Sequence, residues 1–181
     1  MGATDMRAIL FSMLLTVSMA ATLNAQPAAG QDKERSKVDP MVGTWKLNLL
    51  KSKFTADYPS PKSETIVIEQ QEGGVRVTAD PVDFRGKPHH VVYSLMFDGK
   101  DYPVTGAPQD AEFGFRDAST DTVAVERINP RTISVIRRQE GKVVSTQRIE
   151  ISKDGKVRIS DWKASNAKGE PITWMTIFDR Q

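Results

Sequence analysis

Hydrophobic residues recur at every second position over most of this chain. Trp45, Leu47 and Leu49 alternate with polar residues, and the same period continues over residues 75–79 and 91–97. A period of two places alternate side chains on one face of an extended strand, so the pattern predicts β-strands. Further strands are predicted at residues 64–70, 122–128, 132–138, 143–152, 157–164 and 172–179.

Short turn signals separate these strands. Gly, Asn and Asp tolerate the positive φ angles of tight hairpins, and such short connections exclude parallel crossovers. The sequence therefore predicts an all-β fold, an antiparallel up-and-down meander of about eight to ten strands that closes into a barrel. The signals are Glu72-Gly73-Gly74, Arg85-Gly86-Lys87, Asp98-Gly99-Lys100, Asn129-Pro130-Arg131, Glu140-Gly141-Lys142, Asp154-Gly155-Lys156 and Lys168-Gly169-Glu170.

Two segments interrupt the alternating pattern. Residues 105–121 form the long gap between strands, and they are either a lid over the barrel mouth or a solvated loop. Residues 51–58 have room for one helical turn, which Pro59 and Pro61 would end.

The beginning of the chain has the composition of an export signal. Arg7 precedes an apolar run over residues 8–19, and small residues follow as far as Ala25. We expect a signal peptide over residues 1–25, a flexible arm over residues 26–38 and a barrel domain over residues 39–181. An uncleaved membrane anchor is disfavoured, because a spanning helix needs about 20 apolar residues. The expected location is periplasmic or extracellular.

The composition excludes several classes of protein. The 181 residues include no cysteine, which excludes disulfides, thiolate metal sites and a cysteine nucleophile. The 25 basic and 23 acidic residues are scattered and give a formal net charge of +2, without the basic stripe of a nucleic-acid-binding protein. We therefore expect a single domain held together by its apolar core, with no nucleic-acid partner.

The opening of the barrel region resembles a known family. Residues 42–47 (Val-Gly-Thr-Trp-Lys-Leu) and 51–54 (Lys-Ser-Lys-Phe) resemble the start of lipocalins and fatty-acid-binding proteins. The chain is also similar to a group of small uncharacterised secreted bacterial proteins of lipocalin-like type. That similarity covers the same opening, residues 98–106 (Asp-Gly-Lys-Asp-Tyr-Pro-Val-Thr-Gly) and residues 153–156 (Lys-Asp-Gly-Lys).

The resemblance implies a lipocalin-like barrel with structural residues at one end. In lipocalins the matching tryptophan packs across the closed end of the barrel, often beneath an arginine from a late strand. By that resemblance Trp45 is the closing side chain, Gly43 belongs to the same motif and Arg180 supplies the cation.

Several inward-facing positions are candidate ligand contacts, since a binding pocket needs an apolar lining with a few polar groups. Arg127 shares a face with Val123 and Val125 and is a candidate for holding a carboxylate, as interior arginines do in fatty-acid-binding proteins. The alternative is a solvated guanidinium. Arg148 and Arg158 are weaker candidates. The lining candidates are Val91, Tyr93, Leu95, Phe97, Trp162 and Trp174, with Ile66, Ile68, Val123 and Val125, unless these side chains fill a solid core.

The two histidines do not predict a metal site or a catalytic base. His89 and His90 are adjacent, so in a strand they point to opposite faces. His89 shares the face of Val91 and Tyr93, and we expect it to be a hydrogen-bonded residue at the barrel rim. The chain has neither a nucleophile elbow nor a phosphate-binding glycine loop. We therefore expect no catalytic residue, no metal and no cofactor.

The leading interpretation is an exported, monomeric protein that carries a small hydrophobic or amphipathic ligand inside the barrel. The alternative is a non-catalytic interaction or inhibitor module with a filled barrel. A third hypothesis, an enzyme built around His89 or Tyr93, has the least support. A transmembrane barrel is disfavoured because polar residues occupy both faces of most strands.

Overall fold

The computed structural model describes residues 38–105, 120–166 and 168–181. Within these residues the chain forms ten β-strands and no helix, so the predicted all-β fold is confirmed. The predicted signal peptide, the arm up to residue 37 and residues 106–119 of the long loop lie outside the described residues. The strands are β1 (Gly43–Leu47), β2 (Ser63–Gln71), β3 (Gly74–Val82), β4 (Val91–Leu95), β5 (Asp98–Pro103), β6 (Thr122–Asn129), β7 (Thr132–Gln139), β8 (Lys142–Ile151), β9 (Val157–Ser165) and β10 (Pro171–Arg180).

The ten strands form one antiparallel sheet that curls into a nearly closed barrel. The order in the sheet is β4-β3-β2-β1-β10-β9-β8-β7-β6-β5, so β1 and β10 join the two ends of the meander. Trp45 lies opposite Arg180 in that pairing. The two edge strands, β4 and β5, approach each other at a seam, where Val92 and Thr105 exchange backbone hydrogen bonds of 2.9 Å. The predicted up-and-down meander is confirmed.

Strand direction divides the barrel into two ends. Since successive strands are antiparallel, the start of β1, the end of β10 and the β2–β3, β4–β5, β6–β7 and β8–β9 connections lie at one end, here called the closed end. The β1–β2, β3–β4, β5–β6, β7–β8 and β9–β10 connections lie at the other, here called the open end. The height of a residue along its strand therefore indicates which end it is near.

The hairpin turn predicted at residues 98–100 is wrong. These residues belong to β5, where Asp98 pairs with Glu126 and Tyr102 pairs with Val123 of β6. Gly99 does have a positive φ of 76°. It lies where the β5–β6 register shifts between Asp98 and Asp101, so its left-handed backbone serves a β-bulge rather than a hairpin.

Residues 51–58, which had room for one helical turn, form hydrogen-bonded turns and isolated bridges rather than a helix. Lys53 forms an isolated antiparallel bridge with Met175 of β10, and Thr55 forms one with Tyr58. This segment therefore follows the barrel wall toward the open end. Across the described residues there is no helix of the length and hydrophobicity required to cross a membrane.

The inward faces of the strands build one main core and one smaller cluster. Ile66 and Ile68 of β2 and Val75 and Val77 of β3 are buried in the main core, as their alternation predicts. Burying one such side chain stabilises the fold by about 1.5–3 kcal/mol. The smaller cluster consists of Tyr58, Trp162, Ile172 and Trp174. Both clusters frame the barrel interior, where the candidate site lies.

Candidate functional site

The closed end of the barrel is sealed by Trp45 and Arg180. Trp45 is completely buried, and its indole N–H donates a 2.9 Å hydrogen bond to the carbonyl of Met41. The Arg180 guanidinium carbon lies 4.2 Å from the centre of the Trp45 ring, a cation–π distance. The same guanidinium donates hydrogen bonds of 2.6–2.7 Å to the backbone carbonyls of Pro40, Val42 and Gly155.

Gly43 is required by this arrangement. Its φ is +137°, a region that residues with a side chain rarely adopt. A Cβ atom at this position would lie 2.4 Å from Nη1 of Arg180. The glycine of the Gly-x-Trp motif therefore makes room for the arginine that covers the tryptophan.

Arg127 also lies at the closed end and is not among the residues that line the cavity described below. Its guanidinium forms an ion pair with Asp39 and donates a 3.1 Å hydrogen bond to the carbonyl of Pro130. The guanidinium carbon is 3.9 Å from the centre of the Phe97 ring. Arg127 thus links the segment before β1 to the β6–β7 turn.

A cavity occupies the barrel interior. Its volume is about 70 Å³. The interior is therefore hollow and narrow.

Most of the predicted lining residues surround this cavity. Trp174 does not line it, because its ring packs in the smaller cluster against Tyr58 and Trp162. The lining includes the predicted residues Val91, Tyr93, Leu95, Phe97 and Trp162, together with Ile66, Ile68, Val123 and Val125.

An aromatic stack connects the cavity wall to the segment between β1 and β2. The Tyr58 and Trp174 rings are 4.1 Å apart, and the Trp174 and Trp162 rings are 5.2 Å apart, with interplanar angles of 19° and 11°. The guanidinium carbon of Arg137 lies 4.6 Å from the centre of the Trp162 ring. The Trp162 N–H donates a 3.0 Å hydrogen bond to Thr176 Oγ1, which fixes the orientation of the ring at the cavity wall.

Polar side chains on β7 and β8 also line the cavity, and the sequence analysis missed them. Arg137 is 7% exposed and Gln147 is 2% exposed. Nη1 of Arg137 donates a 3.0 Å hydrogen bond to Oε1 of Gln147. A signal for Arg137 was present, since it shares the inward parity of Ile133 and Val135 on β7. Within the described residues, Nε2 of Gln147 has no hydrogen-bond partner.

The two weaker arginine candidates lie on opposite sides of the wall. Arg158 is buried, lines the cavity and lies 4.9 Å from the centre of the Phe178 ring, near the closed end. Arg148 has a half-exposed side chain and lies 4.0 Å from Glu150 on the outer surface. Arg158 and Arg137 therefore place two guanidinium groups at different heights of the interior.

His89 lines the cavity near the open end and is paired with Asp83. His89 Nε2 lies 3.2 Å from Asp83 Oδ2, and both side chains are buried. Asp83 Oδ1 accepts hydrogen bonds of 2.8–2.9 Å from the backbone N–H groups of Arg85, Gly86 and Lys87. Burial raises the pKa of Asp83, but the hydrogen bonds from the Lys87 backbone, His89 and the other two N–H groups outweigh it, so the pKa lies below its ordinary value.

The described residues contain no cluster of three or more His, Asp or Glu side chains arranged to hold a metal ion. The Asp83–His89 pair joins the two ends of the β3–β4 loop. It folds that loop against the rim of the cavity.

Comparison with solved structures found chains of similar fold. No family model matches the chain, and no curated protein matches it. Among solved structures, the zebrafish ileal bile acid-binding protein complexed with cholic acid is similar over 78% of this chain and 99% of that chain, with 12% sequence identity and a TM-score of 0.49.

Proposed function

We propose that this protein binds and carries a small apolar or amphipathic molecule inside its barrel. The observation that supports this most directly is the hollow interior, with a mainly apolar lining and the buried Arg137–Gln147 pair. Ligand pockets commonly combine an apolar lining with a few polar groups that fix orientation. A filled-barrel interaction module would not need an interior of this kind.

The dimensions of the cavity favour a slender ligand. The cavity volume is about 70 Å³, so a flexible chain fits better than a bulky ring system. Each methylene group buried against the lining would contribute about 0.8 kcal/mol to binding. Affinity would then rise with chain length until the chain fills the space toward the closed end.

We also propose that the protein acts outside the cytoplasm, since residues 1–25 have the composition of a cleaved signal peptide. Intact-mass measurement of the protein recovered from the periplasm or medium of its host tests this. Loss of the first 25 residues is the expected result, and a full-length protein retained in the cytoplasm would contradict it.

The carrier proposal is tested by filling the cavity. 1,6-Diphenylhexatriene, a slender neutral dye whose emission rises in apolar surroundings, is titrated into wild type, Val77→Phe and Val143→Phe. Val77 lines the cavity, whereas Val143 is 56% exposed at the start of β8. We expect Val77→Phe to lose dye binding and Val143→Phe to retain it. Equal binding by all three proteins, or binding by none, would refute the proposal.

Native mass spectrometry gives a second test that does not depend on a chosen dye. Protein purified from its own host under non-denaturing conditions is expected to carry an additional mass of lipid size. The additional mass should be absent from Val77→Phe and present in Val143→Phe.

A further inference from the structure

We infer that the stacked rings of Tyr58, Trp174 and Trp162 select the ligand by its width and exclude molecules with fused rings from the cavity. We rest this inference on the proposed function, because the stack supports part of the wall of the same cavity. The physical basis is the rigidity of that wall.

The rings form nearly parallel layers in the half of the interior toward the open end. The centres of the Tyr58 and Trp174 rings are 4.1 Å apart, and those of Trp174 and Trp162 are 5.2 Å apart, with interplanar angles of 19° and 11°. Trp174 of β10 and Trp162 of β9 are cross-strand partners. Arg137 of β7, on the other side of β9 in the sheet, places its guanidinium carbon 4.6 Å from the Trp162 ring centre.

Trp162 is the ring of this stack that faces the cavity. Its N–H donates a 3.0 Å hydrogen bond to Thr176 Oγ1, and both groups are buried. The indole is therefore fixed at its edge by a hydrogen bond and along its face by Trp174. Turning the ring away from the cavity would break both contacts, so the wall at Trp162 does not yield easily.

The back of the stack is closed by the segment between β1 and β2. Tyr58 is 6% exposed, and its backbone N–H donates a 3.1 Å hydrogen bond to the carbonyl of Thr55. The same segment is fastened to β10, because Lys53 and Met175 exchange backbone hydrogen bonds of 2.8 and 3.0 Å. Trp174 is thus packed between Tyr58 and Trp162, with a fixed layer on each side.

A rigid wall beside a narrow cavity discriminates by width. The cavity volume is about 70 Å³, and interiors packed in this way accommodate extra atoms only by forcing side chains out of their preferred conformations. A slender molecule can lie along the Trp162 edge without moving it. A fused-ring molecule would have to displace Trp162 and, with it, the layers behind.

The test compares two neutral fluorescent probes of different width, 1,6-diphenylhexatriene and the fused-ring molecule pyrene, titrated into the same protein. Each affinity is divided by the octanol–water partition coefficient of the probe, which corrects for the difference in hydrophobicity. The cost of overfilling a packed interior predicts that wild type prefers the slender probe by at least about 10-fold. This comparison needs no substitution, so it is decisive even if a variant fails to fold.

Variants behind the cavity wall then test the role of the stack. Trp174→Leu removes the middle ring without changing a residue that lines the cavity, and it should lower the preference for the slender probe by about 10-fold. Tyr58→Leu, one layer further out, should lower it in the same direction. The matched control is Ile172→Ala, since Ile172 is buried in the same small cluster but is no part of the ring stack, and its preference should stay within about threefold of wild type.

The inference and the carrier function fail in different ways. Equal corrected affinities of wild type for the two probes would overturn the inference and leave the carrier function standing. An unchanged preference in folded Trp174→Leu and Tyr58→Leu, or an equal loss of preference in Ile172→Ala, would have the same meaning. If wild type binds neither probe, the carrier function itself is refuted.

Discussion

The closed end and the β7–β8–β9 wall each contain an arginine above a tryptophan, half-buried in the case of Arg180 and buried in the case of Arg137, and the two arginines differ in what they donate to. Arg180 donates to three backbone carbonyls of neighbouring segments, and those bonds join the beginning and end of the barrel. Arg137 donates to the Gln147 side chain, whose own donors have no partner among the described residues. A cation–π contact is therefore no indication of role by itself.

This difference separates fold from recognition. Backbone carbonyls at the closed end are satisfied by a side chain that belongs to the barrel, so Arg180 completes the structure. The wall keeps a buried donor, Nε2 of Gln147, that has no partner among the described residues. The comparison predicts that substitutions at the closed end lower the free energy of unfolding strongly. Substitutions in the β7–β8–β9 wall should raise or lower it only slightly.

The largest effect is expected for Trp45→Ala. Removing a fully buried indole, with its hydrogen bond to Met41, should lower the free energy of unfolding by about 3–5 kcal/mol, as measured by urea denaturation. Leu50→Ala is the control, since Leu50 is 99% exposed and its change should stay within about 0.5 kcal/mol. Similar losses for the two variants would contradict a sealing role for Trp45.

Arg180→Met should come next. It keeps an apolar side chain over Trp45 but removes the donors to three carbonyls, and we expect a loss of about 3 kcal/mol in the free energy of unfolding. Arg148→Met on the outer surface should change it by less than about 0.5 kcal/mol. If the folded Arg180→Met protein bound 1,6-diphenylhexatriene much more weakly than wild type, the separation of the two ends would be wrong.

Asp83→Asn should destabilise the rim of the open end in a pH-dependent way. The pKa of Asp83 is lower in the folded protein than in the unfolded chain, so its contribution is fully present above the unfolded pKa and is lost as the pH falls through the folded pKa. Urea midpoints of wild type and Asp83→Asn should therefore differ most at neutral pH and converge in acid. A gap that stays constant or widens in acid would contradict the assignment.

The smallest effects are expected inside the wall, at two paired positions. Ser160 and Thr176 face each other across β9 and β10. The Ser160 hydroxyl is buried and has no partner among the described residues, whereas Thr176 Oγ1 accepts the Trp162 N–H. Ser160→Ala should be neutral or stabilising by up to about 1 kcal/mol, and Thr176→Val should cost about 1 kcal/mol. Thermal unfolding should show shifts of opposite sign, and a loss in both variants would indicate that Ser160 is satisfied.

Individual residues show how far the sequence could lead. The alternation of Val91, Tyr93 and Leu95 identified a strand face that lines the cavity, because strand parity is a local property. Parity also placed Arg127 with Val123 and Val125, yet the β6–β7 register shifts after Arg127 and its side chain turns to Asp39 and Phe97. The odd or even position of a residue indicates which face of the strand it occupies. It does not indicate whether the side chain reaches the cavity or lies at one end of the barrel.

Gly99 and Trp174 also show that a local preference can be predicted while its structural role depends on distant residues. Gly99 has the positive φ that its sequence context suggested, but whether that backbone makes a hairpin or a bulge depends on which strand lies beside it. Trp174 has inward parity too, but the partner that covers its ring, Tyr58, comes from the segment between β1 and β2. Neither outcome is encoded within a few residues.

The amino-acid sequence by itself determined the all-β class and the antiparallel order of strands, since period-two alternation and turn residues act over short distances. The expected pairing of Trp45 with Arg180 came instead from the resemblance of residues 42–47 to the start of lipocalins. The tertiary structure decided that the interior is hollow, that Arg137 rather than Arg127 lines it, and that Gln147 presents an unsatisfied donor beside it. Those features depend on how residues far apart in the chain pack when the sheet curves and β1 meets β10. The local periodicity of the sequence contains no information about such long-range packing.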